Sequence, residues 1–255
     1  KVAPIHLLLT NDDGFHSPLL ALLCRAAAAR GHRVTVCAPA LPQSAKSHAL
    51  TVHSPLCARS ATMEGAAAAW QVEGTPADCT RLGLRALAQE PVDLVISGIN
   101  DGWNLGLLTY VSGTVAAARE AAFLGYPALA VSAGVDTPEE TVRFLAEWAV
   151  RLGERIPGAH LPPQTLVNVN IPACTIARLR APRLCPVSTV YDRSGYARWD
   201  SDRGSFYVSG NLELNMDGLD PRSDDALIRQ DHITVSLVNP RPLDASLWSA
   251  LLDEM

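Results

Sequence analysis

Nothing in the 255 residues is long and apolar enough to cross a bilayer: stretches such as Leu7–Leu9 and Ala26–Ala29 fall far short of the roughly 20 residues a spanning helix needs. No basic stretch, apolar run and cleavage site open the chain, since Pro4 and the Asn-Asp-Asp of 11–13 interrupt it. Internal repeats and low-complexity linkers are also missing. Cysteines 24, 37, 57, 79, 174 and 185 show no Cys-x-x-Cys and no metal-ligand spacing, and most sit in apolar settings. That predicts reduced thiols in a cytoplasmic protein. Neither a Walker lysine loop nor a G-x-G-x-x-G is present, which disfavours an NTPase or a dinucleotide enzyme. Basic residues number 21 against 26 acidic ones, for a formal net charge of -5, which argues against a nucleic-acid partner. A small anionic substrate stays open, because it responds to the local field.

What is present reads as a folded globular chain, 48% hydrophobic and 18% charged, sized for one large domain or a domain with an appendage. Ile5–Thr10 is a short, nearly continuous apolar run that suits a strand buried on both faces. Ser17-Pro18 opens a Leu- and Ala-rich helix to Arg30, Gly31 closes it, and Arg33–Ala38 is the next strand, stopped by Pro39. A crossover of that length implies a parallel pair. The alternation continues through a helix from Thr75-Pro76-Ala77-Asp78 to about Ala88, a strand Val92–Ser97 and a helix opened by Ser112-Gly113-Thr114. A strand Ala128–Val131, a helix from Thr137-Pro138 to Arg151 and a strand Thr165–Ile171 complete it. The fold class predicted is α/β: a Rossmann-like, mostly parallel sheet with helices on both faces, over residues 1–182. Residues 183–255 form a β-rich C-terminal excursion, with a strand-like His232–Val238. A short amphipathic C-terminal helix follows on Leu243, Leu247, Trp248, Leu251 and Leu252, which needs the main domain or a partner subunit to lie against.

In such a sheet ligands collect beyond the carboxyl ends of the strands. There the first strand delivers Asn11-Asp12-Asp13-Gly14, the second leads to Gln43-Ser44, and Val92–Ser97 leads to Asn100. Adjacent carboxylates converge only where a strand breaks into a turn, and Gly14 supplies that break. Asp12 and Asp13 read either as a solvated turn or as a pair relieved by a divalent cation. With Ser44 and Asn100 they make an all-oxygen shell, which favours Mg²⁺ or Mn²⁺ over Zn²⁺. Ser112-Gly113-Thr114 reads either as a plain N-cap or as a phosphate seat at a helix N-terminus. His6, His16, His48 and His53 carry no decisive signal, and Trp103 either stacks on a base or fills a gap under its loop.

Six co-linear blocks then carry a resemblance. Thr10–Gly14, Ala38-Pro39 with Gln43-Ser44, Gly74–Cys79, Ser97–Gly106, Ser112–Glu120 and Asn168–Pro172 closely resemble the SurE family, metal-dependent 5′/3′-nucleotidases also called survival protein E. The resemblance implies hydrolysis of nucleoside 5′- and 3′-monophosphates, with short polyphosphate as a further substrate. It also implies one divalent cation per subunit and a homodimer or homotetramer held by exchanged C-terminal elements. The family's metal ligands fall on Asp12, Asp13, Ser44 and Asn100, and its phosphate contacts on Ser112, Gly113 and Thr114, with Asn104 as a neighbour. The chain departs from the family pattern at Ala45, where the family usually has Gly, and at Leu108 and Val111 before Ser112. It departs again at Asp231-His232 and Ser236-Leu237, where Gly-Tyr and Thr-Pro are common.

The chemistry expected is direct hydrolysis, in which a cation held by Asp12 and Asp13 activates a water for in-line attack on the phosphomonoester. Ser112–Thr114 stabilise the equatorial oxygens, and a free oxygen of Asp12 or Asp13 accepts the water's proton. Rival readings are an aspartyl-phosphate phosphatase with Asp13 as nucleophile, a sugar-nucleotide-binding transferase domain and a Mg²⁺-binding receiver-like signalling module. The first lacks its Asp-x-Asp, the second lacks room for another Rossmann domain, and the third lacks an acceptor Asp where Val92–Ser97 ends.

Overall fold

The computed structural model describes residues 3–189, 196–200, 203–208 and 218–240. The first strand, β1 (His6–Thr10), is buried along its whole length, as its unbroken hydrophobicity requires. Helix α1 (Pro18–Ala29) follows, burying Leu20, Leu23, Cys24 and Ala27 on one stripe, and leads to β2 (Arg33–Pro39). β3 (Ala58–Ala61) and β4 (Ala68–Val72) come next, then α2 (Pro76–Leu82) and β5 (Leu94–Asp101). The second half runs α3 (Gly113–Phe123), β6 (Ala128–Ala133), α4 (Glu139–Gly153) and β7 (Leu166–Ile171). β8 (Arg180–Leu184), the hairpin strands β9 (Tyr196–Asp200) and β10 (Ser205–Val208), α5 (Asp224–Ile228) and β11 (His232–Val238) complete the order.

Nine strands form one sheet in the order β3-β4-β2-β1-β5-β6-β7-β11-β8. From β4 to β7 every pairing is parallel; β3 and β11 run antiparallel to their neighbours β4 and β7. One core packs α1 and α4 against one face, through Leu20, Leu23, Leu145 and Ala149 on Leu7, Leu9, Ile96 and Leu129. The other packs Cys79 of α2 and Val115 and Ala118 of α3 against Leu8, Val95 and Ala130. The order reverses between β1, which leads outward to β2 and β4, and β5, which leads to β6 and β7. That reversal opens a crevice at the carboxyl ends of β1 and β5, where ligands settle in open α/β sheets.

Four features differ from the sequence reading. β3 and β4 escape it because Ala-rich stretches lack strand periodicity, and pairing with β2 overrides their weak propensity. α2 ends at Leu82 and widens into a π turn over 83–87, where Gly83 packs so close to Leu8 that a Cβ would lie 2.9 Å from it. β5 does not stop at Ser97: after a register shift it carries Asn100 and Asp101 alongside Ser132 and Ala133 of β6. β11, from the C-terminal stretch, sits inside the main sheet between β7 and β8. The amphipathic segment over residues 243–252 lies outside the described residues.

Candidate active site

The turn after β1 is built by its own side chains. Asn11 donates through Nδ2 to the Gly14 carbonyl at 2.9 Å, and Gly14 has a φ of 95°, open to glycine without strain. The turn brings Asp12 and Asp13 to the crevice together. Asp12 is 5% exposed, and its Oδ1 accepts the Thr114 hydroxyl, which also lies 3.2 Å from Asn100 Oδ1. Burial pushes the Asp12 carboxyl up, against the opposing pull of the Thr114 hydroxyl and of the Thr114 and Gly113 amides. Asp13 is half-buried, accepts the Asp101 amide alone among the described residues, at 3.3 Å, and is pushed up to about 6 by burial and by the charge of Asp12. Its remaining lone pairs face a cavity of about 510 Å³, whose wall includes His16, Leu19, Leu41 and Asp101.

Helix α3 points its N-terminus into the same crevice. Ser112 is its N-cap, with Oγ accepting the Val115 amide at 3.1 Å, which leaves the Gly113 and Thr114 amides without partners inside the helix. Both amides act on Asp12. Residue 113 must be glycine, because a Cβ there would lie 2.8 Å from Asp12 Cβ and 2.9 Å from its Oδ2. The positive helix end therefore faces a carboxylate at contact distance, where it favours negative charge. The Thr114 hydroxyl joins that carboxylate to Asn100, whose Nδ2 donates to the Gly102 carbonyl at 2.7 Å.

The segment 40–51 closes a third side. The Gln43 amide donates to the Asp12 carbonyl at 2.7 Å, and Ser47 is tied to the Val111 and Tyr110 carbonyls at 3.0 and 2.7 Å. Ser44 lies exposed in the chain between these two anchors. Asn104 is buried: its Nδ2 donates to Ser132 at 2.8 Å, while Asn168 and Asn170 hold its backbone. Trp103 fills a gap under its loop, donating to the Ile171 carbonyl at 2.7 Å. His6 is a core residue bonded to Thr35, and His16 is exposed on the cavity wall. Asp101 escaped the sequence reading because the strand was ended four residues early. Glu120 and His48 escaped because their meeting spans 72 residues.

Two departures from the family pattern have a physical setting. Ala45 has φ 56° and Asp231 φ 62°, so both non-glycine residues occupy backbone that glycine enters most easily.

Comparison with known proteins gives the chain its place. A profile of the family described as Survival protein SurE matches residues 7–193. The chain belongs to the SurE family. It is 40% identical over 240 residues to a 5′-nucleotidase SurE of Desulfatibacillum aliphaticivorans, with 92% of each chain covered. It is 38% identical to a 5′-nucleotidase SurE of Solidesulfovibrio magneticus, with 97% of this chain and 96% of that one covered. Among solved structures, the SurE protein from Aquifex aeolicus matches with a TM-score of 0.80 at 28% identity, covering 96% of this chain and 98% of that one. Among the described residues of this SurE chain, no group of three or more His, Cys, Asp or Glu side chains could hold a metal ion, and no helix is long and apolar enough to cross a membrane.

Proposed function

We propose that the chain hydrolyses the phosphate ester of nucleoside 5′- and 3′-monophosphates, and of short polyphosphate, with one Mg²⁺ or Mn²⁺ per subunit. The observation that carries the reading is the meeting of Asp12, Asp13, Asn100 and the N-terminus of α3 at the sheet's reversal point. Relatives named 5′-nucleotidase SurE, at 38 to 40% identity over nearly the whole chain, support it.

A hard divalent cation fits the residues present. Two adjacent carboxylates, both held above the usual range by burial, gain from a positive charge between them, and Asp13 keeps lone pairs without donors. The Ser44 hydroxyl and the Asn100 carbonyl oxygen complete an all-oxygen set with Asp12 and Asp13, donors that suit a hard cation. When bound, the cation supplies Lewis-acid polarisation of a phosphoryl oxygen and makes water more acidic.

The chain's own groups do the rest. The Ser112 hydroxyl and the positive end of α3 face the phosphoryl oxygens, stabilising charge as it grows, while the Gly113 and Thr114 amides hold Asp12 in place. Asp13 takes the proton of the attacking water, since its carboxylate has the freer oxygens. Asn104 acts from behind, fixing the loop between β5 and α3 through Ser132 and Asn170. The nucleoside extends into the cavity beside Asp13, whose wall of Leu19, Leu41 and Pro42 offers stacking with few base-reading groups. A cytoplasmic homodimer or homotetramer belongs to the same proposal, supported by exposed Leu184 and Leu237 on β8 and β11. A phosphate-release panel over 5′- and 3′-monophosphates and polyphosphate, with and without chelator, tests it. Release that needs Mg²⁺ or Mn²⁺ is the expected result, and release untouched by chelator overturns the metal assignment.

A further inference from the structure

Ser44 is the weakest-held member of the proposed oxygen shell. It is exposed, and among the described residues no hydrogen bond fixes it. Its position is set by the strap around it. Two strap residues, Ala45 at φ 56° and Ser47 at φ 53°, hold left-handed backbone that is unfavourable for any residue with a side chain. Such a conformation lasts only where neighbouring contacts over-determine it.

Directly after Ser47 comes His48, whose Nε2 lies 2.9 Å from Glu120 Oε2 and whose ring stacks on Phe123 at 5.5 Å. Glu120 belongs to α3, two turns beyond the Gly113 and Thr114 amides, and is only 1% exposed. Its other oxygen accepts Arg81 Nε at 2.6 Å, from α2. Burial pushes the Glu120 carboxyl up, but bonds from His48 and Arg81 and their charges hold it below the usual carboxylate range. A buried, ionised carboxylate with fixed partners is a rigid anchor.

Resting on the function proposed above, we infer that Glu120 and His48 are positioning residues for metal binding: their contact holds the strap so that Ser44 reaches the ion. One helix thus sets both halves of the site, the amides that hold Asp12 at its start and the metal-ligand strap near its end. Arg81 shares the same carboxylate but touches no strap residue in this contact, so it separates positioning from plain stability.

Mn²⁺ binding to the substrate-free protein, followed by calorimetry and by loss of the free-ion paramagnetic resonance signal, tests this. His48→Ala is expected to weaken Mn²⁺ binding about tenfold, in the range of lost outer-shell contacts. His48→Gln, which places an N–H donor at the ε position, is expected to recover most of it. Arg81→Gln is expected to lower the melting temperature while leaving Mn²⁺ affinity within about twofold. Equal Mn²⁺ affinity in wild type and His48→Ala overturns the positioning role with the metal site standing. A parallel loss in Arg81→Gln and His48→Ala overturns it in favour of general stability. A wild type that binds no Mn²⁺ overturns the metal reading beneath it.

Discussion

The chain carries two pairs of neighbouring aspartates, one pair buried and the other only partly so, that meet opposite fates. At α5, Asp224 is fully buried and its carboxylate accepts the Gly106, Ser188 and Asp225 amides at 3.0, 2.8 and 2.9 Å. Asp225 accepts the Ser188 hydroxyl, and that pair pins residues 106 and 188 to the C-terminal part of the sheet. After β1, Asp12 receives Thr114 and the start of α3, while Asp13 has one amide, at 3.3 Å, and opens onto a cavity. The same dipeptide is a fastening where its oxygens turn inward onto donors of the chain, and a ligand site where they open onto a cavity. Acceptor oxygens that reach a cavity, more than the presence of acid or a buried oxygen without a donor such as Asp225 Oδ1, mark function.

Exchanging single atoms in each pair is the strongest way to break that contrast. Asp12→Asn is expected to cut phosphate release more than about a hundredfold, beyond the usual loss of an outer-shell partner, with the melting temperature little changed. Asp224→Asn is expected to do the reverse, because its amide turns a donor toward donors. Stability should fall by about 2–3 kcal/mol, with turnover per folded molecule retained. Chemical denaturation and steady-state phosphate release on both variants check it; a folding defect in Asp12→Asn as large as in Asp224→Asn would erase the distinction.

Both pairs stand in the sequence as Asp-Asp, yet only one was legible. Asp12-Asp13 follows an apolar strand and precedes Gly14, so the rule for strand ends in parallel sheets places it in the crevice. Ser44 and Asn100 follow from the same rule, and Ser112 from the N-cap pattern at the start of α3. Asp224-Asp225 gives no such cue, because its partners Gly106 and Ser188 come from loops that only tertiary packing brings near. His48 and Glu120 are silent for the same reason, being fixed by a contact and by no local pattern. The β-α alternation of the core was readable from caps and apolar runs. β4 was not, since Ala68 and Ala69 become a strand by pairing with β2 rather than by preference.

Acidity separates the pairs more finely. In metal-free protein the folded chain keeps the Asp13 proton up to about pH 6, while the unfolded chain releases it near the ordinary 3.8. The folded form thus binds more protons in that window, and the contribution of Asp13 to stability falls as pH rises through it. The melting temperature of wild type relative to Asp13→Asn, in chelator, is expected to drop between pH 4 and pH 6.5. Saturating Mn²⁺ should abolish the drop; a drop unaffected by Mn²⁺ would mean that the ion does not bind Asp13.

The smallest effect belongs to Asp225, and it divides the fastening pair itself. Burial and the neighbouring charge of Asp224 push its carboxyl up, and its Oδ1 is buried without a partner. Asp225→Asn keeps an oxygen for the Ser188 hydroxyl and removes a charge that the site holds poorly. The substitution exchanges one unpartnered acceptor for one unpartnered donor, so the two costs nearly cancel. The expected change is within about 1 kcal/mol, against the larger loss at Asp224. Denaturant titration of the two variants side by side reads the difference directly. Equal losses at the two positions would show that the fastening depends on the summed charge of the pair, and not on which oxygens have found donors.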